Sequence, residues 1–67
     1  MSVLKVIELL GHSNVSWEDA AQKVVTEASK TIKKVRSIYI KDLSAKVEGN
    51  KIVEYRVDGQ VTFEIQH

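Results

Sequence analysis

The chain has 67 residues, of which ten are Lys or Arg and nine are Asp or Glu, and it contains no cysteine and no proline. A domain of this size buries only about 60% of its unfolded surface and commonly needs disulfides, a metal or self-association for stability. The lack of cysteine excludes disulfides and thiolate metal ligands, and the net charge of +1 is not that of a nucleic-acid binding surface. Self-association is therefore the expected source of additional stability.

The first ten residues are apolar but include Lys5 and Glu8, have no small-residue cleavage site and are too short to span a bilayer. We therefore expect a cytoplasmic protein with no membrane partner. Within residues 3–10, aliphatic and β-branched residues occupy both the odd and the even positions. This pattern predicts a strand with apolar side chains on both faces. Because a strand covered on one side would alternate more strictly, its second face is expected to meet another subunit.

A helix is predicted to follow Ser16, whose hydroxyl can accept a hydrogen bond from the amide of Asp19. Apolar residues then recur at spacings of three and four over residues 17–35, the pattern of a helix that lies on a sheet. Trp17 is expected to cover the sheet edge rather than to serve as a ligand platform. Four basic residues lie near the end of this helix: Lys30, Lys33, Lys34 and Arg36. We interpret them as a solvated helix terminus, with an anion or nucleotide-phosphate site as the alternative.

A second strand is predicted over residues 35–47, with a β-bulge near Asp42 because its apolar residues change parity there. Gly49 and Asn50 predict a hairpin, and strict alternation from Val53 onward predicts a third strand with one apolar and one polar face. Residues 1–67 are thus expected to form a single α+β domain of β-α-β-β order. Three long strands with one helix leave sheet surface exposed, which favours a closed homo-oligomer.

Support for catalysis is thin, because the chain has no cysteine nucleophile, no glycine-rich phosphate loop and no histidine-rich metal motif. His12 and His67 are interpreted as structural or solvated, since the sequence places no orienting partner near either. We therefore expect that the protein is not an enzyme.

The hairpin places Ser37 and Tyr39 on the same sheet face as Arg56 and Asp58, or close to it after the bulge. A planar ligand could lie there, because Arg56 offers a flat cationic fork and Tyr39 a ring. The alternative is an intersubunit contact made by the same side chains.

Three segments of the chain resemble the dodecin family of small flavin-binding proteins: Lys-Val-Ile-Glu-Leu-Leu-Gly-His-Ser at residues 5–13, Ser-Trp-Glu-Asp-Ala-Ala at residues 16–21, and the final strand from Tyr-Arg-Val at residues 55–57 to Val-Thr-Phe at residues 61–63. The resemblance covers nearly the whole chain. It implies a helix packed on a three-stranded antiparallel sheet and twelve copies that close into a hollow shell.

The resemblance also implies paired flavin rings, from FMN or riboflavin, that lie between subunits. In flavin-binding members the rings stack on a tryptophan early in the second strand, and a glutamine in the third strand bonds the ring edge. These two positions fall on Ser37 and Arg56 here, while Asp42 matches a position that is often acidic beside the pocket. The candidate ligand-binding residues are Ser37, Tyr39, Asp42, Arg56 and Asp58.

Both departures weaken the expected flavin site. Ser37 cannot supply the stacking of an indole, which contributes roughly 1–3 kcal/mol per ring, so flavin affinity is expected to be about ten- to a hundredfold lower. Arg56 cannot accept the hydrogen bond that a glutamine carbonyl would accept. Three hypotheses stay open: a shell that sequesters a flavin or another flat anionic ligand, a dodecin-like shell that binds calcium or coenzyme A instead, and, as the least favoured, a small enzyme.

Overall fold

The fold has one helix and three strands in the predicted order. The structure is a computed structural model that describes residues 3–65, so His67 lies outside the described residues. The elements are β1 (Val3–Ser13), α1 (Trp17–Ser29), β2 (Val35–Glu48) and β3 (Lys51–Ile65). β3 is the central strand and pairs antiparallel with both β1 and β2. The predicted α+β class and β-α-β-β order are confirmed.

The predicted bulge in β2 is present. The pairing of β2 with β3 shifts between Ile40 and Asp42, which leaves Lys41 as the extra residue. Ile38 consequently lies opposite Val61, and Leu43 lies opposite Val57. Since directly paired residues share a sheet face, the bulge places both apolar sets of β2 on one face, as the parity change predicts.

The helix covers that face of the sheet with small side chains. The buried core consists of Ala20, Val24, Ala28, Val57 and Val61. Gly11 of β1 lies under the helix, where an added Cβ would come within 2.9 Å of the Ala20 carbonyl oxygen and 2.5 Å of Val24 Cγ2. The close approach of α1 to β1 therefore depends on a glycine at position 11.

Gly11→Ala is expected to destabilise the fold by about 1–3 kcal/mol, because the new methyl group meets a helix carbonyl that cannot move alone. The matched control is Gly59→Ala, whose Cβ would meet mainly the flexible end of Ile38, at 2.9 Å. Denaturant unfolding of both variants measures the difference. Equal losses of unfolding free energy in the two variants would contradict this explanation.

The helix is shorter than predicted. It ends at Ser29, and the amides of Thr31 and Ile32 both donate to the Ala28 carbonyl, at 3.3 and 3.0 Å. Ile32 and Val35 still pack against the core, although both lie beyond the helix. The apolar spacing continued past the helix end because a connecting segment covers the same core surface.

The interpretation of the four basic residues as a helix terminus holds for Lys30 alone. The last turn of α1 contains no basic residue, and Lys30 is the residue that caps the helix. Arg36 belongs to β2, and its Nη2 donates to Glu64 Oε1 of β3 at 2.6 Å. Arg36 is therefore part of the sheet and not of the helix end.

The start of the helix forms a network of hydrogen bonds around Ser13. The predicted cap is confirmed, since the Asp19 amide donates to Ser16 Oγ at 3.0 Å. The buried Ser13 Oγ donates to Asp19 Oδ2 at 2.5 Å and accepts from the Val15 amide at 2.9 Å. The bond from Ser13 holds the pKa of Asp19 below its usual value, with a smaller contribution from Lys23.

This network predicts a loss of stability in acid. Because the pKa of Asp19 is lowered on folding, its contribution is present above the usual aspartate pKa and is lost as pH falls through the lowered one. Asp19→Asn should therefore lower Tm most near neutral pH, with a deficit that shrinks towards about pH 3. Thermal melting across this range measures the deficit, and Glu18→Gln is the control in the same helical turn. A deficit that is independent of pH would contradict the assignment.

Trp17 lies near the sheet edge, as predicted. Its Nε1 donates to the Ser44 carbonyl oxygen of β2 at 2.8 Å, and its ring meets that of Tyr55 edge-on with centroids 4.8 Å apart. The indole thus joins the start of the helix to the β2–β3 hairpin. At the tip of this hairpin, Gly49 and Asn50 have φ angles of 58° and 63°, as the predicted turn requires.

Candidate functional site

The face of the sheet opposite α1, hereafter the open face, is lined mostly by polar side chains. Val57 and Val61 of β3 are buried beneath the helix, so the alternate residues of β3 point to the open face. The strand pairing then assigns residues of all three strands to it. They are Leu4, Val6, Glu8, Leu10 and His12 of β1, Ser37, Tyr39, Asp42, Ser44 and Lys46 of β2, and Glu54, Arg56, Asp58, Gln60, Thr62 and Glu64 of β3.

All five candidate ligand-binding residues lie on the open face, but not at one point. Asp42 lies directly opposite Asp58, whereas Ser37 pairs with Thr62 at one end and Arg56 with Ser44 towards the other. Ser37 and Arg56 are therefore separated by roughly 20 Å along β3 at about 3.4 Å per residue. A ligand the size of a flavin ring cannot contact both residues of the same chain.

A cavity of about 460 Å³ opens on this face beside Arg56. Its lining residues are Leu10, Gly11, His12, Ser44, Glu54, Arg56 and Val57. The volume lies within the range of small-molecule sites, and the lining combines two aliphatic residues, Leu10 and Val57, with several polar groups. Of the predicted ligand-binding residues, Arg56 alone is part of this lining.

The charged side chains of the cavity contact one another. Arg56 Nε donates to Glu54 Oε1 at 2.6 Å, and His12 Nδ1 lies 3.5 Å from Glu54 Oε2. The hydrogen bond from Arg56 is the main reason why the pKa of Glu54 lies below its usual value. His12 lies in β1, where β1–β3 pairing brings Glu54 to it, a partner that the sequence does not place. Its side chain is 72% exposed, in agreement with the interpretation of a solvated residue.

A second cluster of charged side chains, formed by Glu8, Lys41 and Asp58, lies next to Arg56 on the open face. Glu8 lies opposite Gln60, two positions along β3 from Asp58, so the two acids are diagonal neighbours on the open face. Lys41 Nζ of the bulge lies 3.8 Å from Glu8 Oε2. The contact with Glu8 raises the pKa of Asp58, and burial and the charge of Glu8 raise it further. Sequence reasoning selected Asp58 but missed Glu8, whose position depends on the distant β1–β3 register.

Two further properties of the described residues bear on function. No cluster of three or more His, Asp or Glu side chains within residues 3–65 is arranged to hold a metal ion. Over the same residues, α1 has neither the length nor the apolar character that a membrane-spanning helix needs.

Comparison with known proteins decides the family. The sequence profile described as Dodecin matches residues 3–66. The chain belongs to the dodecin family. A curated relative, the calcium dodecin of Mycobacterium tuberculosis, is 32% identical over 66 residues, which are 98% of this chain and 93% of the relative.

Solved dodecin structures share the fold along nearly the whole chain. A single-residue variant of the Thermus thermophilus dodecin is 27% identical and covers 100% of both chains with a TM-score of 0.94. The M. tuberculosis calcium dodecin, described as a calcium-chelating immunodominant antigen with a novel calcium-binding site, is 31% identical. It covers 97% of this chain and 93% of its own, with a TM-score of 0.83. The resemblance to the dodecins drawn from three sequence segments is confirmed.

Proposed function

We propose that this dodecin is a non-enzymatic storage protein of the cytoplasm that assembles as a homododecamer and sequesters a flat ligand of the flavin type, riboflavin or FMN, on the open face. The observation that carries the proposal is the cavity of about 460 Å³ beside Arg56. Leu10 offers an apolar surface to a planar ring, and Arg56, His12 and Ser44 offer polar groups to its edge or substituents.

Glu54 orients the Arg56 side chain for such a contact. The 2.6 Å bond from Nε fixes the guanidinium plane, and a guanidinium has five N–H donors, so others are left for a ligand. These donors suit ring carbonyl oxygens or a phosphate. Tyr39, Asp42 and Asp58 extend the polar surface along the open face towards Ser37.

The open face also supports self-assembly. Leu10 is 80% exposed and Leu4 is 57% exposed, although both belong to a regular strand of the sheet. We infer that a second copy covers these residues and contributes its own Ser37 or Arg56 to the site, which one chain alone cannot do. The ligand site proposed here is therefore completed by residues of two subunits.

Titration of riboflavin with the protein tests the ligand proposal, because ring stacking and burial quench flavin fluorescence. We expect saturable quenching, with an affinity about ten- to a hundredfold below that of a site with an indole. Arg56→Ala should weaken binding a further tenfold or so, as loss of one charge-assisted hydrogen bond does. Lys30→Ala, which removes a cation from the C-terminal cap of α1, is the control. Unquenched fluorescence at millimolar riboflavin would contradict the flavin proposal.

Calcium is the second candidate ligand, and the calcium dodecin relative favours it. The described residues of one chain do not form a metal-binding cluster, and we propose that a calcium site takes donors from more than one subunit. A rise in Tm with millimolar calcium, but not with equal magnesium, would support this candidate. Identical melting curves in calcium, magnesium and chelator would exclude it.

A further inference from the structure

The Glu8–Asp58 contact places two carboxyl groups together on the open face without a full complement of donors. Oδ1 of Asp58 is buried and has no hydrogen-bond partner among the described residues. Two ionised carboxylates that are diagonal neighbours on adjacent strands repel each other, whereas a single proton between them makes one a donor to the other. The contact is therefore favourable when the pair holds one proton.

The neighbouring side chains only partly offset the negative charge of Glu8 and Asp58. From β2, Lys41 approaches Glu8 at 3.8 Å, while Asp42 lies opposite Asp58 and adds negative charge. From β3, Gln60 lies directly opposite Glu8. Helix α1 packs against the other face of the sheet.

The nearest basic side chain along β3, that of Arg56, already donates a hydrogen bond to another residue. Arg56 lies two positions from Asp58 on the open face, and its Nε is bound to Glu54, which also contacts His12. Lys41 is consequently the cation that acts on both carboxyl groups, and it is half exposed to solvent.

We propose that Glu8 and Asp58 form a proton-sharing carboxyl pair that makes both the attachment of β1 to β3 and the charge of the open face beside Arg56 sensitive to pH. The shared proton resides on Asp58, which is the more buried of the two groups, and Glu8 stays ionised beside Lys41. Deprotonation of Asp58 adds a second negative charge between β1 and β3. This device belongs to the subunit itself and does not depend on which ligand the open face binds.

The direction of the pH effect follows from the titration of the pair. The pKa of Asp58 is raised on folding, mainly by the hydrogen bond with Glu8, so the stabilising proton is present at low pH and is lost as pH rises through the raised value. The pKa of Glu8 is lowered, mainly by the same bond, so its contribution is lost at the acidic end. The pair titrates as a unit with two steps.

Asp58→Asn tests the pair, because an amide donates permanently to Glu8 and so mimics the protonated acid. Thermal melting of the ligand-free protein should show a Tm advantage of the variant that is absent in acid and grows as pH rises from about 4 to about 8. In a Glu8→Gln background, the same substitution should lose most of this pH dependence. Glu48→Gln, which removes an exposed acid at the hairpin, is the control and should show no growing advantage.

A direct titration keeps the proposal testable if Asp58→Asn does not fold. The ¹³C-carboxyl chemical shift of Asp58 in the unmodified protein should titrate above the usual range of an aspartate and should also respond to Glu8. Titration of Asp58 in the usual range, or a Tm advantage that does not change with pH, would overturn the proposal. Neither experiment uses a ligand, so this failure would leave the ligand-binding proposal standing.

Discussion

Ser37→Trp is expected to raise the affinity for riboflavin about ten- to a hundredfold, because an indole adds roughly 1–3 kcal/mol of ring stacking. Ser37 is at the start of β2 on the open face, opposite the small residue Thr62, so a larger side chain meets no helix there. Fluorescence titration of riboflavin with the variant and the unmodified protein measures the gain.

The control for this substitution is Ser29→Trp, which adds the same indole at the exposed end of α1. It should leave the affinity unchanged, since that position faces away from the proposed site. No gain in the Ser37 variant would mean that the position does not face a flavin ring, and would contradict the proposed placement of the ligand.

Replacement of both Leu4 and Leu10 by lysine is expected to dissociate the assembly. Each leucine side chain that is buried between subunits contributes about 1.5–3 kcal/mol, and a lysine in its place would have to lose its hydration. The subunit fold should survive, because Leu4 lies opposite Glu64 and Leu10 opposite Asp58, so each lysine gains an acidic cross-strand neighbour. Size-exclusion chromatography with light scattering measures the mass, and circular dichroism measures the fold.

Val15→Lys is the control for this second prediction. Val15 is 74% exposed but lies in the loop between β1 and α1, outside the open face. Its substitution should leave the mass unchanged. If the double variant kept the mass of the unmodified protein, the open face of β1 would not be the surface that joins the subunits.

Features with local signals could be predicted from the sequence. The Gly49–Asn50 turn requires two residues that accept positive φ, and these two residues are common in such turns. The bulge beside Asp42 was visible as a change of apolar parity within one strand. The cap at Ser16 likewise depends on residues three positions apart.

The helix end was predicted wrongly because two apolar residues beyond the helix continue the helical spacing while they contact the core from outside the helix. Ile32 and Val35 continue the apolar spacing, yet they reach the core from a connecting segment and from β2. The chain after Ser29 also bonds to the sheet, since the Glu64 amide donates to the Lys34 carbonyl at 3.2 Å. Spacing alone does not distinguish these cases.

The polar contacts of the open face were missed because they depend on a distant register. β1 and β3 are adjacent in space, but α1 and β2 lie between them in the chain. One residue of slip would move every β1 side chain to the other face, so the contacts His12–Glu54 and Glu8–Asp58 follow only when that register is known. The hairpin and the family resemblance therefore selected Arg56 and Asp58 as candidates, but not the β1 residues His12 and Glu8 that lie beside them.

Native mass spectrometry of the untagged protein, with and without riboflavin or FMN, tests the central claim that this dodecin is a ligand-binding shell. We predict a mass of twelve subunits that increases by whole flavins when flavin is added. A twelvefold mass that takes up calcium but no flavin would retain the shell and replace the ligand. A mass of one or a few subunits that is unchanged by every ligand would contradict the account.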